Sequence, residues 1–319
     1  MGYRLLFIID PIAGLLPDKD TSFVFMLEAQ RRAYAVYTCG PGDLFVRSSR
    51  PYSKSRRTHV ERTTPHYSLF EEREEPLDWF HAIFMRKDPP VDQAYTFAVQ
   101  ILDLVPPSTT FVMNRPRGLL VANEKLYALN FPEFIPDTLI TSDINRLDTF
   151  LDQLGGEMII KPLDGCGGAG IFFVQRSDRN LRSLLETATA NQERLIVAQQ
   201  YLPAVRHGDK RVIVLDGQPL GAILRVPQER ENRGNIHAGG ICRATTLSTE
   251  ERRIVDGVGT RLHEDGLYFV GLDLIGERLT EVNVTSPTGI QEINTFDATQ
   301  LEVPVLDFVE SQIPKRLNS

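Results

Sequence analysis

The segment Met158-Ile159-Ile160-Lys161-Pro162-Leu163-Asp164-Gly165-Cys166-Gly167-Gly168-Ala169-Gly170-Ile171-Phe172-Phe173-Val174 is an apolar strand ending in lysine, a loop with four glycines, and a second strand. Gly165, Gly167 and Gly170 fit the spacing G-x-G-x-x-G, but a dinucleotide fold needs a helix directly after such a loop, so that its N-terminal amides meet the pyrophosphate. Here a strand pattern follows. A glycine loop between antiparallel strands suits another task, folding backbone amides down over the phosphates of ATP, because glycine has no Cβ to block close approach and accepts positive φ. Lys161 would add a compact positive charge for the same phosphates. A purely structural glycine hairpin is the competing reading.

A second constellation lies downstream in Val270-Gly271-Leu272-Asp273-Leu274-Ile275 and, across a turn, Leu279-Thr280-Glu281-Val282-Asn283-Val284. Alternation along a strand points Glu281 and Asn283 to one face, and the turn can lay Asp273 beside them. Two carboxylates and an amide oxygen suit Mg²⁺ held partly by a nucleotide. Without the flap upstream, the same residues would read as the wet face of a half-exposed sheet.

Three further stretches could complete such a site. Lys125 sits in Ala122-Asn123-Glu124-Lys125, and Gln199-Gln200-Tyr201-Leu202 leaves a strand before Pro203, where backbone groups could meet an adenine edge with Leu202 against the ring. Asp209 could hold ribose hydroxyls, and Arg211 could fork onto a carboxylate. Pro227 to Gly240 is polar and glycine-rich, which suits either a lid that shields a hydrolysable intermediate or a disordered loop.

These residues need elements to hold them. Tyr3 to Ile9 reads as a strand buried on both faces, and a helix capped by Asp20 or Thr21 should follow. Ala82 to Met85, Ala94 to Leu104 and Thr110 to Met113 continue the β-α alternation, with Asn114 as cap and Pro116 opening another helix. Residues 1–122 therefore read as an α/β domain with a mainly parallel sheet. Between Arg47 and Pro65 the apolar pattern fails among basic residues, and Glu71-Glu72-Arg73-Glu74-Glu75 follows, which reads as a solvated loop or hairpin rather than an anion-binding arm. After Leu126 the pattern becomes α+β, with strands at 157–161, 171–174, 195–199, 211–215, 220–226, 267–275 and 279–284, and hairpin turns at Asp216-Gly217 and Gly276-Glu277.

Composition narrows the class. With 319 residues, 42% of them hydrophobic, the chain can fill two or three subdomain cores, and a net charge of −7 gives no reason to attract nucleic acid. Its three cysteines are far apart, which fits a reducing compartment rather than a disulfide framework or zinc site. No stretch approaches the roughly 20 apolar residues of a membrane span, so a cytoplasmic location without membrane partners is expected.

Taken together, Asp10-Pro11-Ile12, Met85-Arg86-Lys87-Asp88-Pro89-Pro90, Asn123-Glu124-Lys125, Lys161-Pro162-Leu163-Asp164-Gly165, Gly208-Asp209-Lys210-Arg211, Gly239-Gly240 and Glu281-Val282-Asn283-Val284-Thr285-Ser286-Pro287 resemble bacterial glutathione synthetase, a family of the ATP-grasp superfamily, in order along nearly the whole chain. The resemblance implies an ATP-dependent carbon–nitrogen ligase joining γ-glutamylcysteine to glycine through an acyl phosphate, with three units at 1–122, 123–200 and 201–319. It implies that Lys125, Lys161 and the flap glycines Gly165, Gly167, Gly168 and Gly170 meet phosphates. Gln199, Gln200, Tyr201 and Leu202 would hold adenine, and Asp209 the ribose. Asp273, Glu281 and Asn283 would bind two Mg²⁺ ions, with Mn²⁺ as a substitute.

On the substrate side the resemblance implies Arg86, Asp88, Arg211, Arg225, Arg233, Gly239, Gly240, Ser286 and Pro287, with Arg211, Arg225 and Lys161 as the catalytic charges. A homotetramer is also implied. Cys166 takes a flap position where relatives are expected to carry another uncharged residue; it reads first as a small side chain tolerated on a loop, and second as a thiol that could make activity oxidation-sensitive. Two other readings stand beside this one: another ATP-grasp ligase, joining D-alanines or adding glutamates, and a non-catalytic ATP-binding module.

Overall fold

A computed structural model describes residues 2–165, 167–227 and 241–313. Cys166, Arg233, Gly239 and Gly240, and with the last three the expected lid, lie outside them. The chain opens with β1 (Arg4–Ile8), α1 (Thr21–Arg31), β2 (Ala35–Cys39), β3 (Leu44–Arg47), β4 (Arg50–Val60), β5 (Tyr67–Pro76), β6 (Ala82–Met85), α2 (Gln93–Leu102), β7 (Phe111–Met113) and α3 (Pro116–Val121). The expected parallel sheet is β2-β1-β6-β7, and it is extended by β4, β3 and β5, which pair antiparallel. Asp20 caps α1, accepting from Phe23 N at 2.8 Å.

The basic stretch after Arg47 is a hairpin, and its charges are answered across the ribbon: Arg47 pairs with Glu74 at 3.1 Å, Lys54 with Glu72 at 2.9 Å, and Arg56 with Glu72 at 3.1 Å. Asn114 corrects the sequence reading. The cap of α3 is Arg115, with Pro116 in the first turn. The Asn114 amide instead donates to Phe269 O and Val284 O at 2.9 and 3.0 Å and accepts from Phe269 N at 2.8 Å, joining the first sheet to the last. A buried amide with such a choice satisfies three backbone groups at once.

The middle segment is β8 (Thr138–Thr141), α4 (Ile144–Gln153), β9 (Glu157–Pro162), β10 (Phe172–Gln175), α5 (Leu181–Ala188) and β11 (Ile196–Gln200), in a sheet ordered β10-β9-β11-β8. Ile144, Leu147 and Leu151 recur at helical spacing on α4 and close a small core over Met158, Ile160 and Ile196. The last segment is β12 (Asp209–Leu215), β13 (Gln218–Val226), β14 (Ile241–Ala244), α6 (Thr249–Glu264), β15 (Phe269–Ile275), β16 (Arg278–Asn283), α7 (Ile290–Asp297) and α8 (Glu302–Gln312), with sheet order β14-β13-β12-β15-β16. Asp216 and Gly217, at φ +50° and +78°, turn β12 into β13 as expected of that pair. Sequence reading missed β2, β3, β8 and β14.

The last sheet is not a separate body. Its inner residues Val212, Val270 and Leu272 share one core with Leu6, Ile83 and Val99 of the first domain, and Ile213 and Phe269 share another with Phe7, Phe25 and Phe84. Phe269 meets Phe25 edge-on, with ring centres 5.3 Å apart.

Candidate active site

The cleft lies between the β10-β9-β11-β8 sheet and the five-stranded sheet, and two lysines span it. Lys161, at the end of β9, donates from Nζ to Gln199 Oε1 on its own sheet and to Thr280 O on β16, each at 3.2 Å. Lys125 donates to Gly165 O in the flap at 2.6 Å and pairs with Glu281 Oε1 at 2.9 Å. The glycine flap and the acidic hairpin therefore face the same space. Burial holds the Lys161 ammonium below its usual pKa, although Glu281 opposes the shift.

Gly165, Gly167 and Gly168 line this cleft, whereas Gly170 lines a separate hollow under the flap toward α5. The glycines serve different ends. Gly167 has φ +61° with open space around it, while a Cβ on Gly165 would lie 2.5 Å from Pro162 Cγ. Apolar side chains from both sides, Ile159, Phe173, Leu202 and Ile275, form the inner walls, and the Phe173 and Tyr201 rings sit 4.5 Å apart. Gln200 N–H is already donated to Asp137 O at 2.8 Å, while Leu202 N–H meets no protein acceptor among the described residues.

The opposite wall is set by strand register. Glu281 faces Asp273 across β16 and β15, Asp273 faces Arg211 across β15 and β12, and Asp209 faces Arg225 across β12 and β13. Because alternate residues share a face, these charges lie together. The Arg211 guanidinium grips both oxygens of Asp273, with Nη2 to Oδ2 at 2.9 Å, and Arg225 reaches the same Oδ2 at 3.0 Å while also binding Asp209. Burial alone would push the Asp273 carboxyl up, but Arg211 and Arg225 outweigh it and hold it well below the usual range. Asp209 shifts the other way: burial outweighs Arg225, Asp273 adds to the shift, and the carboxyl is pushed up to about 6.

Asn283 donates to Gly271 O at 3.2 Å, and its amide oxygen has no protein partner among the described residues. Among those residues no three histidine, cysteine, aspartate or glutamate side chains group as a metal cluster. Glu281 faces Asp273 across the strands, and these carboxylates with the Asn283 oxygen are a hard donor set of the kind that fits a Mg²⁺-type ion whose shell ligand oxygens complete.

Four predicted substrate residues lie away from the cleft walls. Arg86 is buried and donates to Ser22 Oγ at 3.1 Å and to Pro287 O at 2.9 Å; burial lowers its pKa. Ser286 adjoins that carbonyl, and Arg211 Nη1 reaches Thr288 O at 3.3 Å, so Arg86 and Arg211 address the same short segment. Asp88 is exposed, its N–H donated to Asp10 at 2.9 Å. Sequence reasoning passed over Glu124 and Thr280. A carboxylate beside Lys125, two positions after the apolar run Leu119 to Ala122, was the available signal for Glu124.

The model of the prokaryotic glutathione synthetase N-terminal domain matches residues 3–119, and that of the ATP-grasp domain of the same family matches residues 124–298. The chain is 46% identical over 312 residues to a protein named glutathione synthetase from Gloeobacter violaceus, covering 96% of each. It is 40% identical over 315 residues to the one from Escherichia coli K12, covering 98% of this chain and 99% of that one. Among solved structures, the ATP-grasp ligase PsnB complexed with minimal precursor aligns with a TM-score of 0.63 over 98% of this chain and 99% of that one, at 18% identity. Among the described residues no helix is long and apolar enough to cross a membrane. With its fold, its cleft and both halves of its sequence in agreement, the chain belongs to the prokaryotic glutathione synthetase family.

Proposed function

We propose that the protein joins γ-glutamylcysteine to glycine at the expense of ATP. The observation that carries this reading is the pair of lysines, Lys125 and Lys161, each linking the flap side of the cleft to the acidic hairpin. ATP would lie with its base between Phe173, Leu202 and Ile275, its adenine edge on the backbone of 199–202, its ribose near Asp209, and its phosphates under Gly165, Gly167 and Gly168. Bound Mg²⁺ ions on Asp273, Glu281 and Asn283 would neutralise phosphate charge, and Mn²⁺ offers the same chemistry.

The free glycyl-facing carboxylate of γ-glutamylcysteine attacks the γ-phosphorus, and the bond to the bridging oxygen breaks to release ADP and leave an acyl phosphate. The glycine amine then attacks that carbonyl, loses a proton and expels phosphate. No protein nucleophile is needed, because the work is positioning and charge neutralisation. Arg211 and Arg225 are held in a dense ion-pair network from which they can turn to the transferring phosphoryl group. Arg86, Asp88, Ser286 and Pro287 would form the peptide side, to which Arg233, Gly239 and Gly240, outside the described residues, are assigned by resemblance.

The units 1–122, 123–200 and 201–319, a cytoplasmic location and a homotetramer complete the reading. Incubation with γ-glutamylcysteine, glycine and MgATP, followed by mass measurement, should show the tripeptide with ADP and phosphate. ADP appearing without tripeptide would refute the substrate assignment.

A further inference from the structure

Glu124, next to the cleft-lining Lys125, has no part in the chemistry just described. One of its oxygens, Oε1, accepts from Val284 N at 3.0 Å, Thr285 N at 3.2 Å and Thr285 Oγ1 at 2.9 Å, and its backbone carbonyl accepts from Val282 N at 3.0 Å. These bonds grip the chain on both sides of Asn283. The next residue, Lys125, holds Glu281 from the same segment. Two consecutive residues thus clamp positions 281 to 285 and fix the acidic hairpin relative to the lysine that faces the flap.

We propose that Glu124 is a positioning residue for the metal ligands: its single oxygen collects three donors at the exit of β16 and so sets where Glu281 and the Asn283 amide oxygen point. Without that acceptor, two backbone N–H groups and a hydroxyl lose their partner, and the strand end is free to rotate Asn283 away. The role rests on Asp273, Glu281 and Asn283 being the metal set. Outer partners of this kind matter because a metal ion demands ligand oxygens at fixed distance and direction.

The test is a Mn²⁺ titration of the full chain in the presence of a non-hydrolysable ATP analogue, read from the paramagnetic resonance signal of free Mn²⁺. Glu124→Ala should weaken Mn²⁺ binding about tenfold or more, and Glu124→Gln, which keeps the accepting oxygen, should stay within about threefold of the parent. Thr285→Val removes one of the three donors and should weaken binding by about threefold. Binding of the analogue without metal should not change, which separates lost positioning from general damage to the cleft. Mn²⁺ affinity within about twofold of the parent in Glu124→Ala, or Glu124→Gln falling as far as Glu124→Ala, overturns the proposal. Should Glu124→Ala not fold, unchanged Mn²⁺ binding in Thr285→Val overturns it equally. Glu281→Ala is the control: if that variant keeps its Mn²⁺, the metal set itself is wrong, whereas a loss there with none in Glu124→Ala removes only Glu124.

Discussion

The two walls of the cleft are built differently. The five-stranded sheet carries Asp209, Arg211, Arg225, Asp273 and Glu281, and its inner residues belong to cores shared with the N-terminal sheet. The β10-β9-β11-β8 sheet carries the glycine flap and closes a small core of its own around Leu147, Met158 and Ile160. The ion-paired charges thus sit on the wall whose core is shared with the N-terminal domain, and the glycine flap sits on the wall with a core of its own. Local stability is expected to follow that division.

The sharpest way to test the fixed wall is to remove a ligand from it. Glu281→Ala should lower product formation by about a thousandfold, the equivalent of several kcal/mol of charge stabilisation, with little change in melting temperature because the side chain is partly exposed. Near-parental turnover would contradict the metal assignment. Arg211→Lys keeps the charge but loses the fork onto Asp273, and a fall in turnover of about a hundredfold is expected, larger than the loss of stability. Unchanged kinetics would leave Arg211 a structural partner only.

On the other wall, Leu147→Ala should cost about 2–5 kcal/mol, and the loss should be confined to β8 to β11. Hydrogen exchange would show those amides opening earlier while β12 and β15 stay protected, and KM for ATP should rise more than KM for γ-glutamylcysteine. Uniform loss of protection across both sheets would erase the distinction between the walls. The smallest effect is one of pH. Asp209 is raised to about 6, so its carboxylate form, the one suited to ribose hydroxyls, is lost as pH falls through that value. Affinity for an ATP analogue should weaken by a few-fold between about pH 7 and pH 5 and flatten in Asp209→Asn. For folding the sign is opposite: a raised carboxyl favours the folded state below the unfolded pKa, and that contribution fades as pH rises through about 6. An analogue affinity that does not vary with pH would remove Asp209 from the ribose site.

Much of this was legible in the residues because it depends on local periodicity. The lysine before the glycines, the alternation of Glu281 and Asn283, and the Asp216-Gly217 turn each announce themselves within a few positions. What escaped depends on partners distant in the chain. The Arg211–Asp273 and Arg225–Asp209 pairs follow from the register of β12 against β15 and β13, which includes an irregularity between Ile213 and Val214 that no local pattern reveals. Asn114 resembles a helix cap until Phe269 is brought beside it. The hairpin after Arg47 was legible, but not the pairing of its basic residues with Glu72 and Glu74. β8 was hidden because its four residues, between Pro136-Asp137 and the α4 cap, are too few to show a period.

The flap glycines differ in what forbids a side chain, and a randomised library should separate them. At Gly167 the obstacle is handedness, so asparagine, which tolerates the left-handed region, should survive selection there. At Gly165 the obstacle is space: a Cβ would lie 2.5 Å from Pro162 Cγ and 3.1 Å from the Ala169 carbonyl oxygen. Replacing that proline relieves only the first contact, so Gly165 should tolerate a side chain less readily than Gly167 even when Gly165 and Pro162 vary together.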